Sequence, residues 1–380
     1  MQIQFNYRYY VNPDDFETHH ASLEQYVTKR IAMQLSEVQE VVRFAEYMQK
    51  RGYYVALYLP YESARAFNPE MTTVTPPEDY VYAAAYIFDS IQYYDGEFET
   101  APHEPQQQFT FQLSDEVMQD HIQRVQDAIV EGNTYQVNYT TRLTDAIRQP
   151  IADLYYALLA KGHGNYAAFF DTDEVQVASF SPELFFQKGS FAGRPDTIVS
   201  KPMKGTAPRA TDETEDEVNY QHLTQSKKDQ AENVMIVDLL RNDIARIAQT
   251  GSVDVHHLFA IEAYETVYQM TSMVTGEVTT ETSLNTIFQA LFPCGSITGA
   301  PKLNTMRYIA DLEQTPRYIY CGTLGLMLPS GQSIFNVPIR TVEYVDGQAR
   351  YGVGAGITID SDPGKEVQEF KDKTKILEQL

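Results

Sequence analysis

Six stretches of this chain carry residue types that could do chemistry. In Ser200-Lys-Pro-Met-Lys-Gly-Thr-Ala-Pro-Arg209 a lysine, Lys204, stands between a proline turn and a glycine. An amine is nucleophilic near neutral pH only where its surroundings disfavour the ammonium form. A loop lysine facing water would show the same letters. In Ser226 to Thr250 the stripe Ile236, Leu240, Ile244 and Ile247 recurs at helical spacing, and Glu232 lies one turn before Ile236 on that face. A carboxylate on an apolar face is costly and needs a partner, a proton or a metal. Near the C-terminus Asp362-Pro363 reads as a cap and first helical residue, after which Glu366, Glu369 and Lys373 share one face. Such oxygen ligands suit Mg²⁺, and so does an ordinary solvated helix.

The other three are built for anions. Gly295-Ser-Ile-Thr-Gly-Ala-Pro-Lys302 runs into an amphipathic helix with Pro301 at its expected first position, which turns free backbone N–H groups toward a carboxylate or phosphate. Gly352-Val-Gly-Ala-Gly356 is followed by Ile357-Thr-Ile359, which is strand-like, whereas a dinucleotide turn would open a helix. Between them Ile339-Arg-Thr341 sets Arg340 in a strand context, where a guanidinium could grip a carboxylate through two hydrogen bonds.

The elements that must position these residues read as follows. Residues 1 to about 20 carry no decisive pattern. A helical spacing runs from Leu23 to Gln49, then strands are expected at Tyr53–Leu59 and Tyr80–Phe88. Thr100 to Gln108, with Pro102, Pro105 and three glutamines, is a linker candidate. Ser114 caps a helix to about Val130, Tyr135–Arg142 reads as a strand, Ile151–Ala160 as a helix, and strands follow near residues 166–170 and 175–180. Helices and strands mix without a βαβ rhythm, which favours α+β.

Composition bounds the function. With 380 residues and 43% hydrophobic content the chain can bury one large core or two joined ones. Its 29 basic and 52 acidic residues give a net charge of −23, which argues against general affinity for nucleic acid or anionic lipid. An anionic substrate then needs a local positive site. Two cysteines, no secretory pattern at the N-terminus and no apolar run of membrane-spanning length lead to the expectation of a cytoplasmic protein without structural disulfides.

Taken together and in order, YQVN at 135–138, SPE at 181–183, KPMKGT at 201–206, AENVMIVDLLRND at 231–243, GSITGAPK at 295–302, IRT at 339–341, GVGAGI at 352–357 and EVQEFKDK at 366–373 resemble the chorismate-utilising enzymes. Upstream, AEYMQKRGYYVALYLPYESARAFNP at 45–69 resembles the short N-terminal half of some of the family's aminodeoxychorismate synthases. The resemblance implies an α+β fold like that of anthranilate synthase component I: a four-layer α/β/β/α core of two orthogonally packed, mainly antiparallel sheets. It implies a shortened N-terminal region at 1–105 packed on a chorismate-binding catalytic domain at 106–380.

What the resemblance implies for the site is specific. Lys204 occupies the position where aminodeoxychorismate synthases carry a lysine that attacks the ring, and anthranilate and salicylate synthases usually carry alanine. Gln136 stands where the isochorismate and salicylate members have a base lysine that activates water, which favours ammonia as the nucleophile. Glu183 would protonate the departing hydroxyl. Glu232 and Glu369 would hold Mg²⁺, with Glu366 and Lys373 in support. Thr206, Thr298, Gly299 and Ala300 on one side, and Tyr320, Arg340, Gly354, Ala355 and Gly356 on the other, would hold the carboxylates. Gln269 replaces a histidine of the anthranilate synthases, so more of the acid role falls on Glu183. The expected reaction is amination of chorismate to 4-amino-4-deoxychorismate, the folate-precursor branch. The alternatives are the anthranilate synthase component I reaction and a non-catalytic chorismate-binding subunit. Neither Cys294 nor Cys321 sits in a glutaminase motif, so ammonia is expected from a separate glutamine amidotransferase subunit, and no tryptophan pocket is recognisable.

Overall fold

The computed structural model describes residues 1–94, 106–160, 164–264 and 267–377. The expected linker at 100–108 falls largely outside these residues, as does the 105/106 boundary. Two ten-stranded sheets dominate, and every strand pair in them is antiparallel. The first runs Gly299–Ala300, Gln136–Ala146, Gln348–Ile357, Thr341–Val345, Gln176–Ser181, Tyr166–Asp171, Gln2–Tyr10, Phe16–Leu23, Gln92–Tyr93, with Thr110–Phe111 beside Gln136–Ala146. The second runs Met203–Pro208, Val267–Glu277, Arg194–Lys201, Leu184–Phe191, Ser333–Asn336, Thr323–Met327, Tyr54–Leu59, Ala83–Phe88, Thr28–Ala32, with Asp254–Ala263 also paired to Val267–Glu277.

Strand alternation explains the layering. In Tyr54–Leu59, Ala56 and Tyr58 face a core that also holds Phe5, Tyr7, Ala168 and Phe170 of the first sheet, so the two sheets pack face to face. Val55, Leu57 and Leu59 point the other way, against helices Leu35–Lys50, Lys227–Ala245 and Leu284–Leu291. The outer face of the first sheet carries Asp115–Val130, Ile151–Leu159, Lys302–Glu313 and Pro363–Lys373 in the same manner. The order is helix, sheet, sheet, helix, as the family resemblance implies.

Several local readings change. The strand Gln2–Tyr10 lies inside the first sheet between Tyr166–Asp171 and Phe16–Leu23, although the first twenty residues showed no decisive pattern. Its residues 3–7 are all buried, so alternation disappears from the letters. The helical reading of 23–49 is shortened: Thr28–Ala32 is a strand, and the helix opens at Leu35, where the Glu37 carboxylate accepts the N–H groups of Met33 and Gln34. Pro301 sits at the N-cap, one place before the first helical residue Lys302. Arg340 lies just before the strand Thr341–Val345, with φ +51°, rather than within it. Among the described residues no helix is long and apolar enough to cross a membrane.

Candidate active site

The site forms where the chain crosses from one sheet to the other. Gln176–Ser181 belongs to the first sheet and Leu184–Phe191 to the second, so Ser181-Pro182-Glu183 is the crossover. A second crossover, residues 337–340, runs beside it in the opposite sense. The Ser181 hydroxyl donates to the Val337 carbonyl at 2.6 Å, Val337 N–H to the Glu183 carbonyl at 3.1 Å, and Phe180 N–H to the Arg340 carbonyl at 3.0 Å. Crossovers leave ladder groups to be satisfied individually, and here they satisfy each other. Arg340 therefore has a backbone duty in this hinge, and its side chain lies near Tyr351.

Glu183 is 4% exposed, and its Oε1 has no hydrogen-bond partner among the described residues. Burial raises its carboxyl to about 7, against the opposing pull of the Ser296 hydroxyl and the Lys204 ammonium. A carboxylic acid still protonated near neutrality, with one oxygen free, is suited to proton delivery.

Lys204, on Met203–Pro208 at the edge of the second sheet, reaches toward the first. A methyl group built on Gly356 would lie 3.2 Å from Lys204 Nζ and 2.1 Å from Gln136 Nε2. Only glycine leaves space there, and the expected trio of Lys204, Gln136 and Gly356 is brought together. Gln136 is buried, and its Oε1 is also unpartnered. Gly354, Ala355 and Gly356 pair with Thr140, Tyr139 and Asn138 on the neighbouring strand, and Gly299 and Ala300 pair with Val137 and Gln136. Thr298 is buried in the same seam, its carbonyl accepting from Asn138 N–H at 2.7 Å. Thr206 is exposed and pairs with the buried Gln269. Tyr320 is buried, with its ring in the space above Gly352 and the Arg142 guanidinium over its face.

The acids of two helices complete the site. Ser226 caps Lys227–Ala245, and Ile236, Leu240 and Ile244 bury its apolar face as the spacing requires. Glu232, one turn earlier, feels Lys204, Lys228, Asp229 and Glu366. Burial raises its carboxyl, as do Asp229 and Glu366, while Lys204 and Lys228 oppose the rise. On Pro363–Lys373, Glu366 is raised by burial and by Glu369, with Ser361 donating to it at 2.8 Å. Burial also pushes Glu369 up, but Lys373 at 2.7 Å, with Lys204 and Lys228, outweighs it and holds the carboxyl below its usual range. Lys373 also donates to the Gly354 carbonyl at 2.7 Å.

Among the described residues no three acidic, histidine or cysteine side chains gather tightly enough to cage a metal by themselves. The donor chemistry fits a hard cation that takes one or two carboxylates and keeps several waters: Glu232 and Glu366 are raised by burial and by neighbouring carboxylates, while Glu369 stays ionised beside them.

Some functional-looking letters are structural. Lys302 of the GAPK stretch donates to Asp243 at 2.7 Å and to the Leu291 carbonyl at 3.0 Å, so it ties the loop to the long helix. Cys294 and Cys321 are buried free thiols, each raised by burial to about 12. Sequence reasoning missed Ser296 beside Glu183. It also missed Lys228, four residues before Glu232, whose helical spacing could have found it.

Residues 95–379 match the family model described as chorismate binding enzyme. The chain is 38% identical over 269 residues to aminodeoxychorismate synthase component 1 of Klebsiella aerogenes, covering 70% of this chain and 58% of that protein. It is 34% identical over 289 residues to the Escherichia coli K12 protein of the same name, covering 74% of this chain and 63% of that protein. It thus spans about three-fifths of the length of these relatives. A 32% match over 269 residues to anthranilate synthase component 1 3 of Haloarcula marismortui covers 71% of this chain and 52% of that protein. Among solved structures, anthranilate synthase component I from Streptococcus pneumoniae TIGR4 superposes with a TM-score of 0.73 at 20% identity, covering 98% of this chain and 89% of that one. The menaquinone-specific isochorismate synthase MenF of Escherichia coli superposes with a TM-score of 0.74 at 17% identity, covering 100% and 88%.

Proposed function

The chain belongs to the chorismate-binding enzyme family, and from that premise we propose that it aminates chorismate to 4-amino-4-deoxychorismate. The observation that carries this reading is the position of the Lys204 amine, which reaches from the second sheet to Gly356 of the first, beside the Gln136 amide that fills that glycine's side-chain space. Chorismate would lie between this amine and Glu183. The Lys204 amine, once its proton has passed to solvent, forms a bond to ring carbon 2, both ring double bonds shift by one position, and the carbon 4–oxygen bond breaks. Glu183 gives its proton to the departing oxygen, which leaves as water. Ammonia then bonds to carbon 4, both double bonds shift back, and the carbon 2–nitrogen bond breaks to release the lysine. Glu183 takes up the surplus proton from the new amine, so the acid is regenerated.

Glu232 and Glu369 would hold Mg²⁺, supported by Glu366. The ion, when bound, neutralises a substrate carboxylate in a protein of net charge −23. Thr298, Gly299, Ala300, Tyr320, Arg340 and the 354–356 backbone would position the carboxylates. Gln136 in place of a base is compatible with ammonia rather than water as the nucleophile. The ammonia would come from a separate glutamine amidotransferase subunit, a reading in keeping with the word component in the relatives' names. The protein would work in the cytoplasm, without binding nucleic acid or membrane.

Purified protein incubated with chorismate, Mg²⁺ and an ammonium salt should yield the 4-amino product. Formation of 2-aminobenzoate would assign the anthranilate reaction instead. No consumption of chorismate would leave only a binding role.

A further inference from the structure

Behind the seam lies a cluster of ionic groups that the chemistry above does not use. Arg317 is buried, its side chain 1% exposed, and all three of its nitrogens are engaged. Nη1 donates to the Ile297 carbonyl at 2.7 Å and Nη2 to the Asn138 carbonyl at 2.7 Å. Nε and Nη2 fork onto Glu313 at 3.0 and 2.6 Å. Glu313 in turn accepts the Thr140 N–H at 3.0 Å, the Thr140 hydroxyl at 2.8 Å and Arg142 Nη2 at 3.1 Å. Arg142 donates from Nη1 to the Thr140 hydroxyl at 2.7 Å and stacks on Tyr320, 5.2 Å from the ring centre. The Arg317 and Tyr318 N–H groups both donate to the buried Glu62, at 2.8 and 3.0 Å.

The two carbonyls that Arg317 holds belong to different pieces of chain. Ile297 precedes Thr298 in the glycine loop, and Asn138 lies two residues after Gln136 on the strand that the loop joins. Asn138 N–H closes the arrangement by donating to the Thr298 carbonyl at 2.7 Å. A planar guanidinium with a fixed fork can fix two carbonyls and a carboxylate at set angles, and an ammonium cannot. Resting on the chorismate reading above, we propose that Glu313, Arg317 and Arg142 are positioning residues for substrate binding. They set the angle between the 295–300 loop and the 136–146 strand, and with it the placement of Thr298, Gln136 and Tyr320. Burial alone would raise Glu313, yet Arg317 and Arg142 outweigh it and hold its carboxyl below the usual range, so this fork keeps its charge without any ligand.

R317K tests this, with hydrogen exchange of the peptides covering 136–140 and 294–300 and equilibrium dialysis of chorismate with Mg²⁺ and no ammonia. Protection should fall in those two segments and hold in Leu35–Lys50. Chorismate affinity should drop about tenfold or more, the value of one or two lost charge-assisted hydrogen bonds, with kcat changed less than KM. The double variant E313Q/R317M leaves one guanidinium, Arg142, without its counter-charge where E313Q leaves two, so it should melt above E313Q while affinity stays weak. That split separates positioning from stability. Wild-type affinity and wild-type exchange in R317K, or wild-type affinity in the double variant, would overturn the proposal. Should wild-type protein itself ignore chorismate, the functional reading falls, and the exchange result alone decides whether Arg317 sets the loop.

Discussion

Two clusters of buried glutamates lie on either side of the same seam. Glu313 meets Arg317, Arg142 and Thr140, both its oxygens are engaged, and it is held ionised. Burial raises Glu183, Glu232 and Glu366 more than their neighbouring lysines lower them, and Glu183 Oε1 has no hydrogen-bond partner among the described residues. The first cluster has already recovered its desolvation cost from partners inside the chain, so it serves to hold shape. The second has not, which leaves it ready to give up a proton or to receive positive charge from outside.

The comparison can be broken first at the lysine. K204A removes both the nucleophile and a cation that Glu183, Glu232 and Glu369 feel. Amination should fall by roughly a thousandfold or more, and mass spectrometry of the quenched protein should show no chorismate-derived adduct. Unchanged turnover would remove Lys204 from the reaction.

In the closed cluster E313A leaves two arginines buried without their counter-charge. The cost should be about 3–5 kcal/mol, read by urea denaturation at neutral pH. E183Q in the open cluster should act in the opposite direction. With its folded value near 7 against 4.5 when unfolded, Glu183 binds its proton more tightly in the native state, so stability falls as pH rises between those values. Replacing it by an amide should raise stability at pH 8 by roughly 3 kcal/mol and change little at pH 4. The same variant should lose kcat by about a hundredfold or more. Wild-type kcat/KM should decline above pH 7, where the free protein's acid is spent. A flat profile with an inert E183Q would place the acid elsewhere.

Added Mg²⁺ should raise the melting temperature of the wild type by a few degrees, in keeping with ligand linkage, and should do so less in E232Q. Equal shifts would move the cation site. The smallest effect is expected for G356A, whose new methyl displaces the Gln136 amide. Stability should drop by roughly 1 kcal/mol, and chorismate affinity should weaken measurably by dialysis. Wild-type affinity in G356A would loosen the link between that strand and the ring site.

How far the letters reached varies by element. Ser114, Ser226 and Asp362 were legible as caps because a capping side chain acts on amides two or three residues away. Glu232, Glu366 and Glu369 were legible because helical spacing alone puts them on their faces. The strand Gln2–Tyr10 was hidden, since its place inside a two-sided core erases alternation. The left-handed backbone of Arg340 is hidden in the letters, since its carbonyl is held by Phe180 N–H, far away in sequence.

By itself, then, the chain's order of residues determined the helices, most strands, the acidic faces, the Lys204 turn and the family they spell. Those depend on interactions between residues a few places apart, or on motifs that read in a line. The tertiary structure alone decided that Glu183 stands in a crossover between sheets with an oxygen unpaired. It alone showed that Lys204 reaches Gly356 from the other sheet, and that one guanidinium joins Ile297 to Asn138. Desolvation and long-range hydrogen bonding are properties of what surrounds a residue, and those surroundings come from other segments, as where Gly356 meets Lys204 and Asn138 meets Arg317.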